Sequence, residues 1–209
     1  MSLAVVYTAL AIVLAYVLGS IPTGLWLGLR FRGIDIREHG SRNIGATNTL
    51  RVLGKALGAI ALTGDIAKGL VAVLLIGQLS PHAYGPLACG IAAILGHTFS
   101  IFLRFRGGKG VATSAGVFLA LTPVPMLVAV AVFAIVVVLT GMVSAGSLAG
   151  AVVITVLVWA MPVDLVVRVI VTAVAAIIVI RHRANIQRIL AGTENRFGPA
   201  RRSEAEERQ

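Results

Sequence analysis

The sequence predicts an all-α integral membrane protein of about seven transmembrane helices, with its N-terminus external and its C-terminus cytoplasmic. Three observations carry that expectation. Of the 209 residues, 58% are hydrophobic and 12% charged, whereas soluble domains carry about 25% charge. Residues 1–29 hold no charge, and 111–180 hold only Asp164 and Arg168. Uncharged apolar runs of that length are membrane spans, since ~20 helical residues cross the hydrocarbon. Finally, 16 of the 18 Lys and Arg lie in the segments 30–65, 104–110 and 181–209. The positive-inside rule therefore places all three in the cytoplasm.

The elements follow in order. A first span covers 3–29, interrupted by Gly19-Ser20-Ile21-Pro22-Thr23-Gly24, where Pro22 kinks it. It lacks a positive n-region and is expected to remain as a span, not to be cleaved as a signal peptide. After the polar segment 30–65, apolar runs cover about 66–79, 84–103, 111–121, 124–141, 143–160 and 164–180. The turns at 80–83 and 161–164 contain no Lys or Arg and are expected outside. Passing from inside at 110 to outside at 161 requires an odd number of crossings, so 111–141 must divide at Pro123 and Pro125. The runs 66–79 and 111–121 are short for a lipid-exposed helix and should be sheltered, tilted or extended. Residues 1–197 form a single membrane domain in this reading, and 198–209 a polar, disordered tail. The formal charge of +10 could suit nucleic acid, but topology accounts for the cations, and no nucleic-acid partner is expected. Cys89, the only cysteine, lies in an apolar run and offers packing, with no disulfide and no metal site.

Three polar clusters fall on the cytoplasmic side. The turn Phe105-Arg106-Gly107-Gly108-Lys109-Gly110-Val111-Ala112-Thr113 has glycines that can take φ > 0 and turn amides inward around an anion. Arg106 and Lys109 add charge, and the helical residues that follow put a helix N-terminus nearby. Its spacing is not that of a P-loop: position 102 is Phe and position 110 is Gly. Alone, it is better read as a tight loop whose cations only orient the protein; the other two clusters on the same side lift the anion-binding reading. The second cluster runs from His39 through Gly40-Ser41-Arg42-Asn43-Ile44-Gly45-Ala46-Thr47-Asn48 to Arg51 and Lys55. Its amides and hydroxyls can donate to a phosphate or an oxyanion, or else form a turn-rich connector with helix caps. The third holds Arg181, His182, Arg183, Asn185, Arg188 and Glu194. A stop-transfer collar explains its arginines but has no need of His182, Asn185 or Glu194. Asp65 and Lys68 read as an i,i+3 ion pair at the mouth of a span. His97 lies within a span, where ionisable groups are costly and face functional cavities.

No G-x-S-x-G elbow, metal-ligand set or H-x₄-D signature is present, so neither a metal nor any other cofactor is expected. The runs Gly19–Gly24, Gly40–Asn48, Gly96-His97, Phe105–Thr113 and Arg181–Ile186 resemble, in order and spacing, the bacterial acyl-phosphate:glycerol-3-phosphate acyltransferases, the PlsY family. The resemblance extends from residue 3 to about 197. It implies a multi-pass inner-membrane enzyme with its active site facing the cytoplasm and with seven spans. Its reaction moves a fatty acyl group from acyl phosphate to the 1-hydroxyl of glycerol 3-phosphate, giving lysophosphatidic acid and phosphate. Neither acyl-CoA nor acyl carrier protein is the direct donor. Membrane lipid and, transiently, the acyl-phosphate-forming enzyme are the partners to expect. Carried across, the resemblance implies Ser41, His97, Lys109 and Asn185 as catalytic. It implies Asn43, Thr47, Asn48, Arg51, Gly107, Gly108, Gly110 and His182 as substrate-binding. Arg42 departs from it, since many members have glycine there. A transporter of a phosphorylated solute is the rival reading. It predicts ionisable residues at mid-span, and the spans after 110 have almost none. A scaffold for anionic head groups would leave the Ser, Asn and Thr of the second cluster without a purpose.

Overall fold

A computed structural model describes residues 2–197, and every regular element among them is helical. The polar tail expected at 198–209 lies outside the described residues. The helices are α1 (Leu3–Ser20), α2 (Thr23–Arg32), α3 (Ala46–Leu53), α4 (Lys55–Leu74), α5 (Gly85–Thr98), α6 (Val111–Leu121), α7 (Pro123–Thr140), α8 (Val143–Ala160), α9 (Leu165–Arg181) and α10 (Arg183–Leu190). Five segments are long and apolar enough to cross a membrane: Leu3–Ser20, Lys55–Leu79, Gly85–Leu103, Pro123–Thr140 and Val143–Ala160. The pair α9 and α10, bent by 59°, makes a sixth. The remaining apolar helix, α6, has only 11 residues, as the short run 111–121 foretold.

Most boundaries follow local chemistry. Pro22 ends α1 because its ring and missing N–H cannot continue the ladder, and α2 restarts at Thr23. α7 opens on Pro123, where a helix has no need of that N–H. Asp164 caps α9 by accepting from the amides of Val166 (2.8 Å) and Val167 (3.3 Å). The largest departure from the sequence reading is α4. It begins at Lys55 and not near 66, because Gly54 (φ +88°) turns the chain directly out of α3. Ala56–Leu62 thus belongs to a span, and Asp65 and Lys68 sit inside a helix and not at its mouth.

The chain forms two compact units, one covering Met1–Leu121 and one starting at Thr122. In the first, α1 packs on α5 and α4 on α6, through small residues. Ala11, Ala15, Cys89 and Ala93 are fully buried between α1 and α5. A Cβ at Gly116 would overlap the Ile66 carbonyl of α4, and one at Gly69 the Thr113 carbonyl of α6. In lipid no hydrophobic force drives helices together, so close backbone approach and dispersion must do so. A second core of Leu25, Ile36, Ile44 and Leu53 folds the polar segment 33–45 against α2 and α3. In the second unit α8 packs on both α7 and α9. There Gly146 faces Phe133, and Phe197 donates its amide to the Gly141 carbonyl at 2.7 Å. Arg168, with Lys68 one of the two cations outside the expected cytoplasmic segments, donates to the Val163 carbonyl at 2.7 Å and lies over Trp159.

Candidate active site

The segment before α3 is organised by one side chain. Asn48 is buried, and its amide nitrogen donates to the carbonyls of Ile36 (2.8 Å), His39 (3.2 Å) and Asn43 (2.9 Å). Its oxygen accepts from the Ser41 amide at 2.8 Å. Asn43 in turn accepts from the Gly45 amide at 2.9 Å, an Asx turn. Gly40 and Arg42 both take left-handed backbones, φ +60° and +56°. These bonds leave the Ser41 side chain exposed and those of Asn43 and Thr47 half-buried on the rim of α3. Asn48, expected to bind substrate, holds the loop that presents the others. The Arg42 departure also gains a physical meaning: its φ is one that glycine adopts without cost and arginine does not. Further out, Asp35 and Arg37 pair at 2.6 Å, which lowers the carboxyl's pKa and raises the guanidinium's. Arg51, half-buried, lies in the last turn of α3.

The glycine turn is built differently from the expected anion cradle. The Gly107 amide donates to the Thr98 carbonyl (3.1 Å) and the Gly108 amide to that of His97 (3.0 Å), both at the end of α5. Those two N–H groups therefore close the α5 C-terminus. Of the turn's glycines only Gly110 is left-handed, at φ +80°; Arg104 and Phe105 carry the sharp turn at φ +51° and +62°. Gly107 and Gly108 are required by close approach. A Cβ on Gly107 would overlap the His97 carbonyl, and one on Gly108 the His97 imidazole at Nε2. The turn thus presses against His97 and presents Lys109, half-buried, beside the start of α6. Just beyond it the buried hydroxyls of Thr113 and Ser114 have no hydrogen-bond partner, a costly state that a ligand oxygen or water would relieve.

Beneath the turn lies a group of charges whose arrangement the sequence concealed. Lys68 Nζ is 2.8 Å from Asp65 Oδ1, 2.9 Å from the Ile21 carbonyl and 3.1 Å from His97 Nδ1. Thr23 donates to Asp65 at 3.0 Å. All three ionisable side chains are at most 5% exposed. The expected i,i+3 pair exists, then, but as a buried one that also satisfies the carbonyl freed by the Pro22 break.

In the second unit Glu194 is the hub. It accepts from Ser144 Oγ (2.8 Å), Asn185 Nδ2 (2.6 Å) and Arg188 Nε (2.7 Å). Burial pushes its carboxyl up, but the donors Asn185, Ser144 and Arg188 outweigh it and hold the pKa below the usual range. Arg188 is thereby a structural partner and more than a collar cation. His182 is buried at the α9–α10 bend, with Nδ1 2.8 Å from the Ile178 carbonyl. Nothing in the sequence pointed to Ser144. Among the described residues, no three His, Cys, Asp or Glu side chains gather as a metal ion would require.

Fold and side chains together define a class: an all-α integral membrane protein whose loops carry the cations, amides and hydroxyls that phosphorylated ligands need. The chain belongs to the glycerol-3-phosphate acyltransferase family, whose model matches residues 9–192. A glycerol-3-phosphate acyltransferase from Trichlorobacter lovleyi is 48% identical over 184 residues, 88% of this chain and 94% of that relative. One from Fusobacterium nucleatum is 42% identical over 186 residues, covering 89% and 96%. Among solved structures, PlsY (YgiH), an integral membrane glycerol 3-phosphate acyltransferase, in its glycerol 3-phosphate form superposes with a TM-score of 0.85 at 33% identity. That match covers 91% of this chain and 96% of the other. The lysophosphatidic acid form gives 0.82 at the same identity.

Proposed function

We propose that this chain transfers a fatty acyl group from acyl phosphate to the 1-hydroxyl of glycerol 3-phosphate, releasing lysophosphatidic acid and inorganic phosphate. The observation that carries this is membership of a glycerol-3-phosphate acyltransferase family, in a chain that sets Arg51 in the last turn of α3 and Lys109 in the glycine turn, both half-buried. Relatives captured in glycerol 3-phosphate and lysophosphatidic acid forms support the acceptor and the product. Family membership also answers the transporter reading. Acyl phosphate is a mixed anhydride with a good leaving group, so no protein nucleophile is needed. The glycerol oxygen attacks the acyl carbon, the bond from that carbon to the phosphate oxygen breaks, and the hydroxyl proton leaves with a phosphate oxygen. Positioning and charge stabilisation supply the rate. In this scheme Lys109 and Arg51 hold phosphate groups, and Ser41, Asn43 and Thr47 orient the acyl-phosphate end. His97 donates a hydrogen bond, and Asn185 with His182 orients glycerol phosphate. Asn48, Gly107 and Gly108 shape the loops that present these groups. The basic loops face the cytoplasm of a bacterial inner membrane, with the N-terminus outside.

Donor specificity tests the reading. Purified, lipid-reconstituted protein is given glycerol 3-phosphate with palmitoyl phosphate, palmitoyl-CoA or palmitoyl-acyl carrier protein, and lysophosphatidic acid is quantified by mass spectrometry. Product is expected from the phosphate alone; product from a thioester at a comparable rate would overturn the donor assignment.

A further inference from the structure

Asp65 and Lys68 lie under the glycine turn, and the scheme above gives neither of them a task. Their geometry bears on which hydrogen His97 carries. A histidine that acts as a base through Nε2 usually donates Nδ1–H to a carboxylate, which holds that tautomer. Here the carboxylate is near, but it is not the partner. His97 Nδ1 is 3.8 Å from Asp65 Oδ1, beyond hydrogen-bond length, and 3.1 Å from Lys68 Nζ. A lysine ammonium has three donors and no acceptor. Its other two contacts, Asp65 Oδ1 at 2.8 Å and the Ile21 carbonyl at 2.9 Å, are both acceptors. The third hydrogen therefore points at Nδ1, which must accept it and so bears no hydrogen of its own. The neutral ring then carries its hydrogen on Nε2, the edge that abuts Gly108.

We infer that Asp65 and Lys68 are positioning residues that fix His97 as the Nε2–H tautomer, making it a hydrogen-bond donor and not a base. This rests on the proposed role of His97 beside the reacting oxygens. Asp65, braced by Thr23 at 3.0 Å, holds the ammonium, and Lys68 sets the ring. A donor at Nε2 stabilises charge developing on an oxygen but cannot accept the glycerol proton, which is consistent with that proton leaving on phosphate.

The test uses the full chain in lipid nanodiscs with ¹⁵N-labelled histidine. Its four histidines are few enough to assign His97 by difference against His97→Gln. Wild type is expected to show an unprotonated Nδ1 and a protonated Nε2; the opposite pattern overturns the inference. Lys68→Met, which removes the donor, should shift the ring toward the other tautomer. It should lower kcat by about 10²-fold with KM for glycerol 3-phosphate little changed, the scale of a misplaced catalytic group, while Lys68→Arg should keep most activity. An unchanged tautomer and kcat in Lys68→Met would overturn it as well. Should Lys68→Met fail to fold, the wild-type spectrum alone decides. Should wild type make no lysophosphatidic acid from acyl phosphate, the proposed function fails, while the spectrum still tests the tautomer assignment.

Discussion

At Gly108 a single hydrogen stands where any side chain would meet the His97 imidazole. Gly108→Ala should therefore displace the ring and cost about 10²-fold in kcat, with Tm changed far less than activity. Steady-state kinetics beside a thermal melt would show it. Removing a charge is a separate matter: Lys109→Ala should lower kcat/KM for glycerol 3-phosphate by about 10²–10³-fold, the scale of losing one charge-stabilising group, measured with saturating acyl phosphate. Glu194 gives a pH prediction. Its folded pKa is lowered, so its contribution to stability is present above the ordinary carboxylate value and is lost as pH falls through the folded value. Wild type should melt above Glu194→Gln at pH 7, and the gap should close on acidification toward pH ~3. A gap that widened toward acid would reverse the assigned sign.

At the scale of elements, the close helix pairs rest on glycine. Gly116→Leu drives a side chain into the Ile66 carbonyl of α4 and should destabilise the first unit by at least about 1–3 kcal/mol, the cost of overpacking. Melting curves in detergent would register it. The same packing explains what the sequence left hidden. Apolar runs and prolines located most helices, because lipid demands uninterrupted hydrogen-bonded spans. The start of α4 escaped, because Lys55, Asp65 and Lys68 look like loop charges until the 2.8 Å pair shows two of them neutralising each other. In the glycine turn, composition suggested a cradle of free amides. In the fold, the Gly107 and Gly108 amides are spent on α5 carbonyls. Composition cannot tell a glycine needed for φ from one needed for close approach. Asn48 is a similar case, since an asparagine that binds a ligand and one that ties a loop are the same letter.

Taken as a molecule, the chain is a set of membrane helices bearing basic loops, and the positive-inside rule predicts an orientation that labelling can test. With Cys89→Ala as background, His82→Cys should react with an impermeant maleimide from outside intact cells. Arg106→Cys should react only in inverted vesicles. Labelling of both from one side would break the topology. The central claim is chemical: the glycerol hydroxyl attacks acyl phosphate directly, on a scaffold that positions both and lends no nucleophile. Rapid-quench measurement of phosphate release from acyl phosphate, with and without glycerol 3-phosphate, tests it most directly. The account predicts phosphate and lysophosphatidic acid appearing in equal amounts, and no release without the acceptor. A burst of phosphate before glycerol 3-phosphate is added would reveal an acyl-enzyme and contradict it.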